Sequence, residues 1–131
     1  GVREAIVRHA RRDRPIECCG FLIGRRRRVL ATVEMRNVAR SRTRYRIEDR
    51  AHIALRRVLR ALSPTLEIVG VYHSHPSGAA RPSETDIAQA HYPGWIHIIV
   101  GMKGRTSVRA FRIRNGRAQH VSIRRESRHS I

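Results

Sequence analysis

The chain has 131 residues, of which 40% are apolar, and it carries a formal charge of +18. That length and apolar content fit a single globular core and exclude disordered, collagen-like and multi-domain readings. No apolar run is long enough to cross a bilayer, and residues 1–10 lack the hydrophobic stretch of a signal peptide, so no membrane association is expected and the cytoplasm is the default location.

The first element in chain order is a helix over the opening dozen residues, because Val2, Ala5, Ile6 and Ala10 recur at helical spacing between Arg3, Arg8, Arg11 and Arg12. Pro15 lies just beyond its end. Cys18 to Ile23 is a short apolar run closed by Gly24. The Arg25 to Arg28 block then reads as an exposed hairpin turn leading into a strand over Val29 to Val33. Cys18 and Cys19 are neighbours and cannot form an ordinary disulfide with each other, so no disulfide framework is expected.

Tyr45 to Ile47 reads as a short strand, and Ile53, Leu55, Val58, Leu59 and Leu62 mark a helix that ends before Pro64. Ile68 to Tyr72 is apolar and rich in β-branched residues, and it delivers the chain to His73-Ser74-His75-Pro76. Ser83 has the character of a helix N-cap, which predicts a helix from about Ser83 to His91. Trp95 to Val100, Ser107 to Ile113 and Ala118 to Ile123 follow as strands, the last two joined at Asn115-Gly116, a strong hairpin signal. The expected architecture is an α/β (α+β) domain over residues 1–123, about three helices around a sheet, with a polar tail over 124–131.

His73 and His75 stand two residues apart at the end of a strand, so both imidazoles leave the same face and converge on one point. Two exposed loop histidines would look the same. Asp86, on the first turn of the next helix, supplies a hard oxygen donor that completes a His, His, Asp set and leaves a fourth position for water, the pattern of catalytic rather than structural zinc. Ser83 and Asp86 also fit a capping box, and the two roles are compatible, since an (i, i+3) pair shares one helical face. Glu17 is the only carboxylate at an otherwise apolar strand start. Taken alone it reads as an exposed residue after Pro15; a hydrolytic site, however, needs a general base.

Pro15-Ile16-Glu17-Cys18-Cys19-Gly20, followed by His73-Ser74-His75-Pro76, six residues, Ser83, two residues and Asp86, resembles the JAMM motif of MPN+ metallopeptidases at every motif position. Asn37, the stretch from Ser41 to Ile47 with Tyr45, and Tyr92-Pro93-Gly94 are similar to the compact prokaryotic members, so the resemblance spans nearly the whole chain. It implies a cytidine-deaminase-like sandwich with a mixed central sheet, and Zn2+ held by His73, His75 and Asp86. Glu17 would then be the general base and acid that activates the attacking water, and Ser83 the stabiliser of the oxyanion. The implied reaction is hydrolysis of a peptide or isopeptide bond after the C-terminal Gly-Gly tail of a ubiquitin-like or sulfur-carrier protein. An extended tail of that kind would pair with an exposed strand edge.

The charge leaves two further readings open. One is a basic nucleic-acid-binding module in which the histidines are incidental; it accounts for the arginines but not for the motif spacing, and few aromatic residues are available for base stacking. The other is a non-catalytic interaction domain that keeps zinc for stability. His52, His91, His97, His120 and His129 have no comparable spacing around them and are assigned no function.

Overall fold

A computed structural model describes residues 1–124. Its centre is a six-stranded mixed sheet of order β2-β1-β3-β4-β5-β6, made of β1 (Cys19–Arg25), β2 (Arg28–Met35), β3 (Glu67–His75), β4 (Ile96–Gly101), β5 (Ser107–Arg114) and β6 (Arg117–Val121). All neighbours pair antiparallel except β3 and β4, which run parallel. That parallel pair requires a crossover, and the segment between the two strands carries the shortest helix, α3 (Glu84–Ala88).

The other two helices cover opposite faces of the sheet. On α1 (Val2–Asp13), Ile6 and Ala10 pack with Cys18, Leu22, Tyr72, Ile98 and Val100. On α2 (Asp49–Leu62), Leu59 and Leu55 pack with Phe21, Ile23 and Ile68. Alternation along β1 divides its side chains between the two layers, with Leu22 on the α1 side and Phe21 and Ile23 on the α2 side. Cys18 and Cys19 divide in the same way: Cys18 joins the α1 core, while Cys19 points its thiol at the Met35 carbonyl. Both are buried free thiols.

The α1 layer depends on one glycine. Gly20 lies opposite Tyr72 in the β1–β3 ladder, and a Cβ there would sit 2.3 Å from the Tyr72 ring. The space above Gly20 thus belongs to the Tyr72 ring, whose hydroxyl meets His9 Nδ1 at 2.7 Å.

Three expectations shift. Tyr45 to Ile47 is not a strand, because the Asn37 side chain takes the backbone partners a strand would need: its Nδ2 donates to the Arg44 carbonyl and its Oδ1 accepts from Arg46 N–H. The third helix stops at Ala88 rather than His91. Proline disfavours helical backbone before it, and Tyr92, just ahead of Pro93, turns away to stack on Trp95 with ring centroids 4.0 Å apart. The last strand ends at Val121, two residues early. The expected polar tail, apart from Arg124, lies outside the described residues. Among those residues no helix is long and apolar enough to cross a membrane.

Candidate active site

The site forms at the C-terminal end of β3. His73 and His75 share the α2 face of the sheet, and α3 brings Asp86 across from the crossover. The His73 Nε2, His75 Nε2 and Asp86 Oδ2 atoms form a triangle whose three sides are each 3.1 Å. Among the described residues, this is the group of ligand-type side chains whose donor atoms all lie within 4.8 Å of one another. Zinc–ligand bonds of about 2.0–2.1 Å give a tetrahedral edge of roughly 3.3 Å, so these three atoms fit three corners of such a site with shifts of a few tenths of an ångström.

Each ligand position has a local cause. His75 Nδ1 donates to the Ala79 carbonyl at 2.8 Å, which fixes the ring orientation and turns Nε2 toward the triangle. Gly101 allows this loop to close on β4, since a Cβ there would fall 2.2 Å from Ala80 N. Asp86 is held by a reciprocal capping box: its N–H donates to Ser83 Oγ at 3.0 Å, and its Oδ2 accepts from Ser83 N–H at 2.9 Å. The bond to Ser83 uses an oxygen lone pair, so the hydroxyl proton is left for another acceptor. Tyr45 stacks on His73, with centroids 4.6 Å apart and planes 26° from parallel.

Glu17 is not the exposed residue its position after Pro15 suggests; it is 2% exposed. Its backbone is gripped on both sides. Glu17 N–H donates to the Ser41 carbonyl at 2.9 Å, and its own carbonyl accepts from Asn37 Nδ2 at 3.0 Å. One residue on, Cys18 N–H donates to Ser74 Oγ at 2.8 Å, and Ser74 N–H returns a bond to the Cys18 carbonyl. The start of β1 is thereby tied to the residue between the two histidines.

The electrostatics follow from this burial. Burial pushes Glu17 up to about 8, against the pull of a positive His75 and with the push of Asp86. Burial likewise works against ionisation of Asp86, yet hydrogen bonds from His73 and His75 outweigh it and hold that carboxyl well below its usual range. His73, almost fully enclosed, is pushed down chiefly by burial, whereas for His75 the bonds to Asp86 and Ala79 overcome burial and raise it.

Sequence reasoning left two parts of this site without a role. Asn37 enters the sequence reading only as part of the family resemblance, yet it is 8% exposed and its side chain makes four bonds inside the fold, to Glu17, Arg44, Ala39 and Arg46. Ser74, the residue between the histidines, reads as a spacer but aligns β1. The available signal for Asn37 is an Asn beyond a strand end, where side chains of this type compete for backbone bonds.

Residues 1–114 match the family described as prokaryotic homologs of the JAB domain. The chain belongs to that family. It is 37% identical over 117 residues to the CysO-cysteine peptidase of Mycobacterium tuberculosis, covering 86% of this chain and 78% of the relative. With the desampylase of Haloferax volcanii it shares 34% identity over 110 residues, 79% of this chain and 78% of that one. A solution structure of a protein from Desulfitobacterium hafniense superposes with a TM-score of 0.80 at 26% identity, over 91% of this JAB-domain chain and 84% of the other. A JAB1/MPN domain protein from Archaeoglobus fulgidus, 20% identical over 92% of this chain and 87% of its own, shares the fold with a TM-score of 0.61.

Proposed function

We propose that this JAB-domain protein is a zinc peptidase that hydrolyses the peptide or isopeptide bond after the C-terminal Gly-Gly tail of a ubiquitin-like or sulfur-carrier protein. The observation that carries the proposal is the 3.1 Å donor triangle of His73, His75 and Asp86 together with the buried carboxyl of Glu17, whose Oε1 has no hydrogen-bond partner. The names of its relatives, a peptidase acting on a CysO-cysteine adduct and desampylases, support the same class of substrate.

His73, His75 and Asp86 would hold the metal. When bound there, zinc supplies Lewis acidity, polarising the scissile carbonyl and lowering the pKa of water. Glu17 takes a proton from the water that attacks the carbonyl carbon and passes it to the leaving amine. Burial makes this carboxyl a stronger base than an ordinary one, and the charge of a bound metal would favour its ionised form, the state that takes the proton. The Ser83 hydroxyl, its proton uncommitted by the capping bond, donates to the developing oxyanion. Asn37 and Ser74 hold the Glu17 segment in register with the histidines.

The substrate tail has a geometric entry. β2 is an edge strand, and Met35 at its end pairs with Cys19, two residues from Glu17. An extended tail adding to that edge would lead its C-terminal bond toward the site.

The test is metal analysis coupled to cleavage of a panel of ubiquitin-like conjugates, with and without chelator. Stoichiometric zinc that is lost in His75→Ala, and zinc retained without turnover in Glu17→Gln, are the expected results. Near-normal cleavage by Glu17→Gln would remove that residue from its role. Zinc-free folding with tight, strongly salt-dependent RNA binding would replace the peptidase reading with the nucleic-acid module.

A further inference from the structure

Among the described residues, three buried side-chain nitrogen or oxygen atoms have no hydrogen-bond partner: Glu17 Oε1, His73 Nδ1 and His97 Nε2. Two of them belong to residues already placed in the site. The third belongs to a histidine that neither the sequence motif nor the mechanism uses.

The sheet puts His97 beside His73. In the parallel ladder Val71 lies opposite His97 and His73 opposite Ile99, so His97 is the diagonal neighbour of His73 on the adjacent strand. Ile98 and Val100 point into the α1 layer with Tyr72, which sends His97 to the other face, shared with His73. Neither nitrogen lies within hydrogen-bond distance of the other, and one water is the bridge that two imidazoles on adjacent strands and one face can share. His97 is 6% exposed, and the proximity of His73 adds to the burial that keeps its ring neutral.

The two histidines of the triangle differ in their outer contacts. His75 has the Ala79 carbonyl on Nδ1, whereas His73 presents Nδ1 to a buried space without an acceptor. An imidazole that binds a metal through Nε2 carries its proton on Nδ1, and that proton is ordinarily given to an acceptor which fixes tautomer and ring orientation. A neutral His97 has one unprotonated ring nitrogen to offer.

We propose that His97 is a positioning residue for His73: His97 Nε2 accepts the Nδ1 proton of His73 through one bridging water, and so aims the His73 Nε2 lone pair at the metal position. This rests on the reading of His73, His75 and Asp86 as the metal site. It pairs the two unpartnered imidazole nitrogens with each other, and it explains why a buried polar ring is kept on a strand that otherwise reads as Ile96, Ile98, Ile99 and Val100.

The experiment measures zinc affinity by chelator competition in the parent, His97→Leu and His97→Gln. Alongside it run urea unfolding of the zinc-free proteins and 15N NMR of the His73 ring. Leucine removes the acceptor; glutamine can place Oε1 near the position of Nε2. His97→Leu should bind zinc about 10- to 100-fold more weakly, while its zinc-free form is at least as stable as the parent. A residue that only fills space would not separate those two readouts. His97→Gln should recover most of the affinity, and the parent spectrum should show His73 protonated on Nδ1. Parent-like zinc affinity in His97→Leu, or a loss in His97→Gln equal to that in His97→Leu, overturns the role of His97. If the parent itself binds no zinc, the metal-site reading fails instead, and this proposal with it.

Discussion

Glu17→Gln should stabilise the zinc-free protein at alkaline pH, and the size of the effect follows from the burial of the carboxyl. In the fold Glu17 is pushed up to about 8 from an ordinary value of 4.5. Between those pH values the folded state holds a proton that the unfolded chain has released, so stability falls as pH rises through the interval and the loss is complete above the folded value. At about 1.36 kcal/mol per pK unit, the interval corresponds to an upper figure of roughly 4–5 kcal/mol. Glutamine has nearly the same shape and cannot ionise. Urea unfolding of chelator-treated protein at about pH 5 and pH 9 measures the difference. The histidines titrate in both proteins, so subtracting one profile from the other leaves the titration of Glu17 together with its coupling to His75. The parent should lose several kcal/mol more than the variant between the two pH values. Parallel profiles would refute the burial argument, and with it the account of why this carboxyl is a good base.

Asn37→Ala deletes two donors to the Glu17 and Arg44 carbonyls and an acceptor for the Ala39 and Arg46 amides. With buried backbone groups left unpaired it should cost about 2–4 kcal/mol in urea unfolding and lower turnover by releasing Glu17; a cost under about 0.5 kcal/mol would deny Asn37 that role. Gly20→Ala drives a methyl into the Tyr72 ring, and overpacking of this kind should cost about 1–3 kcal/mol, read as a lowered thermal midpoint. An unchanged midpoint would show that Tyr72 is free to move. The +18 charge predicts that association with an acidic carrier slows as salt is raised. Stopped-flow rates that do not respond to ionic strength would make the arginines irrelevant to capture.

The sequence showed most of the sheet because its strands are strongly patterned. Ile68 to Tyr72 and Trp95 to Val100 are apolar and rich in β-branched residues; the second is displaced by one residue at each end, while the first starts one residue earlier and runs three further, to His75. The triangle of His73, His75 and Asp86 was legible for a similar reason. His-x-His at a strand end converges by alternation alone, and a capped helix fixes Asp86 from local sequence. What was not legible depended on contacts distant in the chain. Glu17 looks exposed until the loop carrying Asn37 and Ser41 folds over it. Tyr45 to Ile47 has strand propensity, and only the bonds to Asn37 take the backbone elsewhere. The third helix ends early because Tyr92 finds Trp95, a stacking partner that periodicity cannot reveal. His97 carries no spacing signal, since its relation to His73 is set by the register of two strands joined through a crossover.

The buried unpartnered atoms share a cause. A natural core pairs its buried polar groups, so exceptions mark places where another requirement has prevailed. Here Glu17 Oε1, His73 Nδ1 and His97 Nε2 belong to residues on or beside the His73, His75, Asp86 end of the sheet. Each unpaired buried group costs on the order of 1–3 kcal/mol, and the zinc-free fold must tolerate that cost through packing elsewhere, chiefly the apolar layers under α1 and α2. A ligand that binds only the folded chain, here through His73 Nε2, His75 Nε2 and Asp86 Oδ2, offsets that cost by mass action, so zinc should raise the unfolding midpoint as its concentration rises. The rise should shrink sharply in His75→Ala, which removes a corner of the triangle. Equal zinc-induced shifts in parent and variant would mean that the ion binds elsewhere and that the unpaired groups at this end of the sheet serve some purpose other than its capture.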